Sequence, residues 1–367
     1  MRTARAVFVN RYFHPDHSAT SQMASDLAFH LASRGWTVEA IASRQRYDDP
    51  DAQLPRHEVV NGVTITRIAT TRFGRSFLPG RAIDYLTFYL NAFREIRKRR
   101  DAVIVAKTDP PLLSVIAALG SKRVVNWVQD LFPEVAEGLG MRGLRVLRPI
   151  RNWSLQRARA NVAIGDLMAR RVPKSVVIHN WADVALEPKE SGSFAAAVQI
   201  GYSGNLGRAH EVDTMLAAMR MLPDVRFVIT GGGAQLARLK SEAPANVEFR
   251  PYAPREKLSE SLSSVDAHLV SLRPALEGLI VPSKFYGILA VARPVIFIGA
   301  KDGELARIIE EHRIGLVVEE GDAEGLARAI RGVDPEMGRR GRELYLARFA
   351  PEHAFAAWER VLQEAST

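Results

Sequence analysis

The residues with the most chemical promise lie in Leu276–Pro294, LEGLIVPSKFYGILAVARP. Glu277 follows a strand-like run, and Pro282-Ser283-Lys284 reads as a helix opening with Ser283 at the cap. Unpaired N–H groups and the positive dipole end of such a helix attract phosphate, and Lys284 adds a formal charge. A capped core helix with a solvated lysine fits the same residues. A second constellation is Ser203–His210, SGNLGRAH. Gly204 and Gly207 permit tight turns and close backbone approach, Asn205 stands between them, and Arg208 is suited to pair bidentately with a diphosphate. A third is Gly231-Gly232-Gly233 after RFVIT, where a ribose or flat ring could approach the backbone. Plain turns would account for both glycine-rich stretches.

In the first half, Ser18-Ala19-Thr20-Ser21 opens a helix directly after the first strand, leaving room for a ligand beside backbone donors. Asp130 ends NWVQD and is a candidate polar group for a reacting centre; a capping aspartate before LFPE fits equally. Lys107, Thr108 and Asp109 carry the same ambiguity.

Other chemistries find no support. The chain has no cysteine, which excludes a thiol nucleophile and Cys-ligated metals. Its nine histidines lack H-x-x-x-H and H-E-x-x-H spacing, so no metal site is expected. Asp49-Pro50-Asp51 reads as a polar loop. No G-x-S-x-G, no P-loop and no G-x-G-x-x-G after the first strand is present, which disfavours a dinucleotide dehydrogenase.

Two α/β domains must position these groups. The 367 residues suffice for two domains, and strand-length apolar runs alternate with helical periodicity throughout. Seven strands are expected in the first half, from Ala6–Asn10 to Ser175–Ile178. Six follow from Val198–Tyr202 to Gly315–Val318. The expected organisation is a Rossmann-like domain over 1–180, a linker over 181–197 containing Pro188, Ser191, Gly192 and Ser193, and a second Rossmann-like domain over 198–345. Helix 346–367 is expected to pack back on the first domain. Parallel sheets bind ligands at strand C-termini, here a crevice between the two domains.

The formal charge is +9 overall, +12 through Asp183 and −3 beyond it. Much of the excess sits in Tyr85–Arg100, read as a packed helix with a basic rim, and in Met141–Arg159. There leucine, valine, isoleucine and Trp153 alternate with arginines, so an anionic membrane face and simple packing fit equally. No nucleic-acid module accompanies the charge. With no apolar run near the ~20 residues of a membrane span and no signal-like start, the expectation is a cytoplasmic protein, with peripheral contact at the inner-membrane face.

Taken together, YFHPDHSATSQMASDLAFHLASRGWTV, NWVQDLFPEVAEGLG, IGYSGNLGRAHEVDTMLAA and VPSKFYGILAVARPVIFIG resemble the family 4 retaining glycosyltransferases, within them the bacterial group that builds colanic-acid-type and O-antigen polysaccharides. The resemblance implies the GT-B fold, two Rossmann-like domains facing across a cleft. It further implies a UDP- or GDP-linked sugar as donor substrate, bound by the 198–345 domain with no bound cofactor, and a glycan or polyprenyl-diphosphate-linked acceptor, bound by the 1–180 domain. Glu277 matches the first of two family glutamates. Phe285 stands eight positions on, and alignment on ARPVI puts Gly287 there instead, so the second is absent. Arg208 and Lys284 are the nearest substitutes for the usual arginine–lysine pair, and Gln129 or Asp130 stands where relatives have a histidine.

The expected reaction is a metal-independent, same-face glycosyl transfer. Arg208, Lys284 and the Ser283 helix end would stabilise the departing diphosphate, Glu277 would contact the donor, and Asp130 would position hydroxyls. Ser18, Ala19, Thr20, Gly204, Asn205, Gly231, Gly232 and Ser283 would line the nucleotide-sugar site. A sugar-nucleotide epimerase of the same fold and a silent sugar-nucleotide-binding partner are the rivals.

Overall fold

The computed structural model describes residues 4–47, 49, 51–73, 78–183, 185–189 and 198–367. They form two units, Met1–His179 with Ala354–Thr367, and Asn180–His353. Ser191, Gly192 and Ser193 of the expected linker lie outside the described residues, as does Pro50.

The first unit holds an eight-stranded sheet: β1 (Arg5–Val9), β2 (Thr37–Ser43), β3 (His57–Val60), β4 (Val63–Ile68), β5 (Val103–Lys107), β6 (Val124–Val128), β7 (Ala160–Ala163) and β8 (Ser175–Val177). Their order is β3-β4-β2-β1-β5-β6-β7-β8. Only β3 runs antiparallel, against β4. It is the strand the sequence reading lacked. Asn61 and Gly62, both at positive φ, close a two-residue hairpin between β3 and β4. Helices α1 (Ala19–Ser33), α2 (Leu78–Arg97), α3 (Leu113–Gly120), α4 (Glu134–Gly138), α5 (Arg148–Arg157) and α6 (Asp166–Ala169) complete the crossovers. Central strands β5 and β6 are buried along their whole length, as expected of parallel strands. Val9, Ile104 and Val124 meet Phe88, Ala92 and Ile96 of α2 in one core.

The second unit carries β9 (Gln199–Asn205), β10 (Arg226–Gly232), β11 (Val247–Arg250), β12 (Ala267–Ser271), β13 (Val295–Ile298) and β14 (Gly315–Val318). All are parallel, in the order β11-β10-β9-β12-β13-β14. Helices α7 (Asp213–Met221), α8 (Leu236–Glu242), α9 (Leu258–Ser263), α10 (Lys284–Ala290), α11 (Glu304–His312), α12 (Ala323–Arg331) and α13 (Pro335–Leu344) belong to it. Its core joins Ile200, Phe227 and Ile296 to Met215, Met219 and Leu326.

Two expectations shift. β9 runs three residues past Tyr202, and β10 takes in Gly231 and Gly232. Gly204 pairs with Gly231, and Asn205 with Gly232, so these residues are strand ends rather than free loops. Glycine permits the extension: φ is +116° at Gly204 and +128° at Gly231. A Cβ on Gly231 would stand 2.3 Å from the Gly204 carbonyl oxygen.

Helix α14 (Pro351–Ser366) contributes residues 354–367 to the first unit. Trp358 is fully buried with its ring 4.7 Å from that of Trp127, and Glu359 meets His30 at 3.0 Å. No helix among the described residues is long and apolar enough to cross a membrane.

Candidate functional site

In the second unit the polar residues gather at the C-terminal ends of β9, β10 and β12. Lys284 opens α10, and its Nζ lies 3.7 Å from the centroid of the Tyr202 ring while donating a hydrogen bond to the Tyr202 hydroxyl. Tyr202 is itself buried, and its hydroxyl donates to the Asn205 carbonyl at 3.2 Å. Burial, with no carboxylate opposing it, holds the Lys284 ammonium well below the ordinary lysine range. The side chain passes beside Gly204, where a Cβ would come within 3.8 Å of Cε.

His210 faces the same group. Its Nδ1 lies 2.7 Å from the Ser271 carbonyl, which can only accept, so Nδ1 carries the proton and Nε2 is left as an acceptor. Burial first, then the Lys284 charge, depress its pKa to about 3, so the ring is neutral. Sequence reading passed over both Tyr202 and His210, although each flanks or ends the SGNLGRAH stretch.

Glu277 follows the short 3-10 turn after β12. Its Oε2 accepts from the Glu304 N–H at 3.2 Å, at the start of α11. Its Oε1 is buried without a hydrogen-bond partner among the described residues. Burial pushes the carboxyl up to about 7; the Glu304 N–H opposes the rise, and the Glu304 and Asp302 charges add to it. The missing second glutamate has a spatial neighbour here, since Glu304 is a buried carboxylate beside Glu277. Phe285 and Gly287 play no such part. Phe285 packs against Tyr286 and Phe349, and Gly287 faces Leu186 and Leu262.

Three expected placements change. Ser283 occupies the cap position of α10, but its side chain makes no capping bond and the helix spans only 7 residues, so the helix end has little to offer an anion. Arg208 is exposed and makes no hydrogen bond or ion pair among the described residues. The ring lying on Gly231 and Gly232 is that of Tyr252, from the loop after β11. A Cβ on either glycine would come 3.1 Å from it, so their surface is already covered.

In the first unit, Ser18 caps α1 by position, with its hydroxyl buried and unpartnered. Ala19 is exposed, and the Thr20 carbonyl accepts from the Lys107 ammonium at 2.6 Å. Lys107, at the end of β5, is buried with Nζ 3.8 Å above the Trp127 ring. Burial lowers its pKa well below the ordinary lysine value, against the pull of Asp26 and Asp130. Asp130 has an exposed surface, yet loss of hydration, with Asp109 second, lifts its acid to about 6 while Lys107 opposes the rise. Thr20 and Asp130 are thus linked through a lysine whose role the sequence left open, and Ser18 is not part of that link. Each unit seats one buried lysine on an aromatic ring near the C-terminal edge of its sheet.

Among the described residues, no three His, Asp or Glu side chains gather as a metal ion would need.

Comparison with known proteins agrees with this layout. Residues 18–181 match the glycosyl transferase 4-like domain family and residues 197–333 the glycosyl transferases group 1 family. The chain is 30% identical to the probable glycosyltransferase WbjE of Pseudomonas aeruginosa over 283 residues, 68% of this chain and 70% of that one. It is 25% identical to the GDP-mannose:cellobiosyl-diphosphopolyprenol alpha-mannosyltransferase of Xanthomonas campestris, over 95% of this chain and 94% of that one. The sucrose-phosphate synthase structure from Thermosynechococcus elongatus shares its GT-B fold, with a TM-score of 0.77 over 98% of both chains at 15% identity. The chain belongs to the family 4 glycosyltransferases, in the bacterial group that builds polysaccharides.

Proposed function

We propose that this glycosyltransferase moves a sugar from a UDP- or GDP-linked donor, held by the second unit, to a polyprenyl-diphosphate-linked acceptor, with retention at the anomeric carbon. The observation that carries the donor reading is the buried Lys284 ammonium, which no carboxylate among the described residues neutralises. A diphosphate supplies the missing negative charge. The relative from Xanthomonas campestris supports a nucleotide-sugar donor and a lipid-linked acceptor by its name.

Cleavage of the anomeric C–O bond leaves positive charge on the sugar and negative charge on the departing diphosphate. Lys284 meets the second of these, and the exposed Arg208 adds a mobile cation. The acceptor hydroxyl attacks on the same face, and its proton passes to a diphosphate oxygen. The unpartnered Oε1 of Glu277 and the Nε2 of His210 are acceptors for sugar hydroxyls. Asp130 orients the acceptor hydroxyls from the first unit. Tyr252, exposed and backed by Gly231 and Gly232, offers its outer face to a nucleobase. This route asks nothing of a metal ion.

A thermal-shift panel of nucleoside diphosphates and their sugars tests the donor, because a ligand at 100 times its Kd stabilises by about 2.7 kcal/mol. One diphosphate class should raise the melting temperature. Transfer from the matching sugar should then give a product with unchanged anomeric configuration by NMR. An isomerised donor formed without acceptor would favour an epimerase, and binding with neither transfer nor hydrolysis a silent partner.

A further inference from the structure

Helix α2 has two apolar faces, and only one is used. Phe88, Ala92 and Ile96 point into the first unit and are fully buried. Ile83, Leu86 and Leu90 form a second stripe, 43–56% exposed, which continues along the same line into Arg94 and Arg97. Helix α5 and the 3-10 turn before it, Leu144–Leu147, repeat the design. Val146, Ile150 and Trp153 are 78, 46 and 36% exposed, and the next residue on that stripe, Arg157, holds its guanidinium 5.3 Å from the Trp153 ring.

Helix α3 joins the two. A Cβ on its Gly120 would come within 2.6 Å of Ile96 in α2, and its Ser114 hydroxyl lies 2.8 Å from that of Ser154 in α5. Its Leu119 is exposed between them. The three helices thus make one layer on the sheet, with an apolar outer surface. Monomeric proteins rarely leave such a surface bare without a use for it.

The charges on this layer are one-sided. Arg145 and Arg148 pair with Glu137, and Arg148 and Arg151 with Glu134, so three of the arginines in Met141–Arg159 are neutralised. Glu95 is taken by Lys98 and Arg99. Arg94, Arg97, Arg142, Arg157 and Arg159 make no ion pair among the described residues. A second copy of the chain brought to the same face would set arginine against arginine. An anionic bilayer sets phosphate against arginine and accepts isoleucine, leucine and tryptophan at its interface.

We propose that the layer of α2, α3 and α5 docks on a membrane surface carrying anionic lipid. Ile83, Leu86, Leu90, Val146, Ile150 and Trp153 enter the interface while the unpaired arginines contact headgroups. The proposal deepens the reading of a lipid-linked acceptor, but it stands on the first unit alone.

The test is co-sedimentation of the full chain with vesicles of phosphatidylcholine, with and without 30 mol% phosphatidylglycerol (about a third anionic). Binding should require the anionic lipid and weaken with salt. Replacing Arg94, Arg97, Arg142 and Arg157 by glutamine should lower partitioning up to about a thousandfold. Ile150→Glu and Leu86→Glu, at exposed positions, should abolish it. Melting temperature and transfer to a water-soluble acceptor analogue should stay unchanged in all these variants. Wild-type protein left in the supernatant, quadruple-glutamine protein that sediments like wild type, or self-association lost in Ile150→Glu without vesicle binding would each overturn the proposal. Loss of transfer to the soluble analogue in the wild type would instead count against the proposed function.

Discussion

The Lys284 ammonium lies 3.7 Å from the centroid of the Tyr202 ring, and the two residues meet from α10 and β9 although 82 positions separate them. A buried cation with an aromatic floor and one hydroxyl acceptor is poorly solvated, and it gains most when an anion arrives. Lys284→Met should therefore lower turnover by about 10²–10³, the size of losing one transition-state donor. The melting temperature should hold or rise, because a buried charge has been removed. Steady-state rates and thermal denaturation on the same sample check both halves.

Diphosphate binding should be linked to protonation of the same residue. In the free protein burial depresses the Lys284 pKa, and an adjacent dianion raises it again. Between the two values binding takes up a proton, so affinity falls as pH rises through that window. Calorimetry of UDP and GDP in buffers of different ionisation enthalpy measures the uptake directly. An uptake of zero in wild type at alkaline pH, with binding intact, would contradict it.

Glu277 predicts a pH dependence of stability rather than of binding. Its carboxyl titrates at about 7 in the fold, against an ordinary 4.5. The folded state binds the extra proton between those values, so stability is greatest at the acid end and declines as pH rises from about 4.5 to 7. The effect should be at most about 3 kcal/mol, and Glu277→Gln should flatten that part of the profile. Urea denaturation at half-unit pH steps resolves the difference.

Gly231→Ala should destabilise the second unit by about 2 kcal/mol or more, since the φ of +128° is costly for alanine and the Gly204 carbonyl leaves no room for a methyl. Gly140→Ala, also at positive φ but with open space around it, should cost less, about 1 kcal/mol. Equilibrium denaturation of the pair separates crowding from backbone strain.

What the sequence showed best was what chemistry repeats along the chain. Fully apolar strand runs such as AVIVA and RFVIT, alternating with helices, are enough to indicate two parallel sheets. The β3–β4 hairpin was missed, although Asn61-Gly62 before an apolar run is a two-residue turn signal. The strand extensions at Gly204 and Gly231 were not legible, since each glycine reads as a turn until the other is seen opposite it. Lys284 was visible as a cation, but its ring partner on β9 is a tertiary contact that no local pattern encodes. Arg208 looked equivalent to it from spacing alone, and burial is what separates the two.

Residues 354–367, with Trp358 against Trp127, close the first unit only after all of 180–353 has been made. During synthesis the second unit can therefore mature while the first still lacks a buried tryptophan. Deleting residues 354–367 injures the fold at the opposite end of the sequence. A nick at either of the two crossings, near 179 or near 353, leaves the halves tethered by the other.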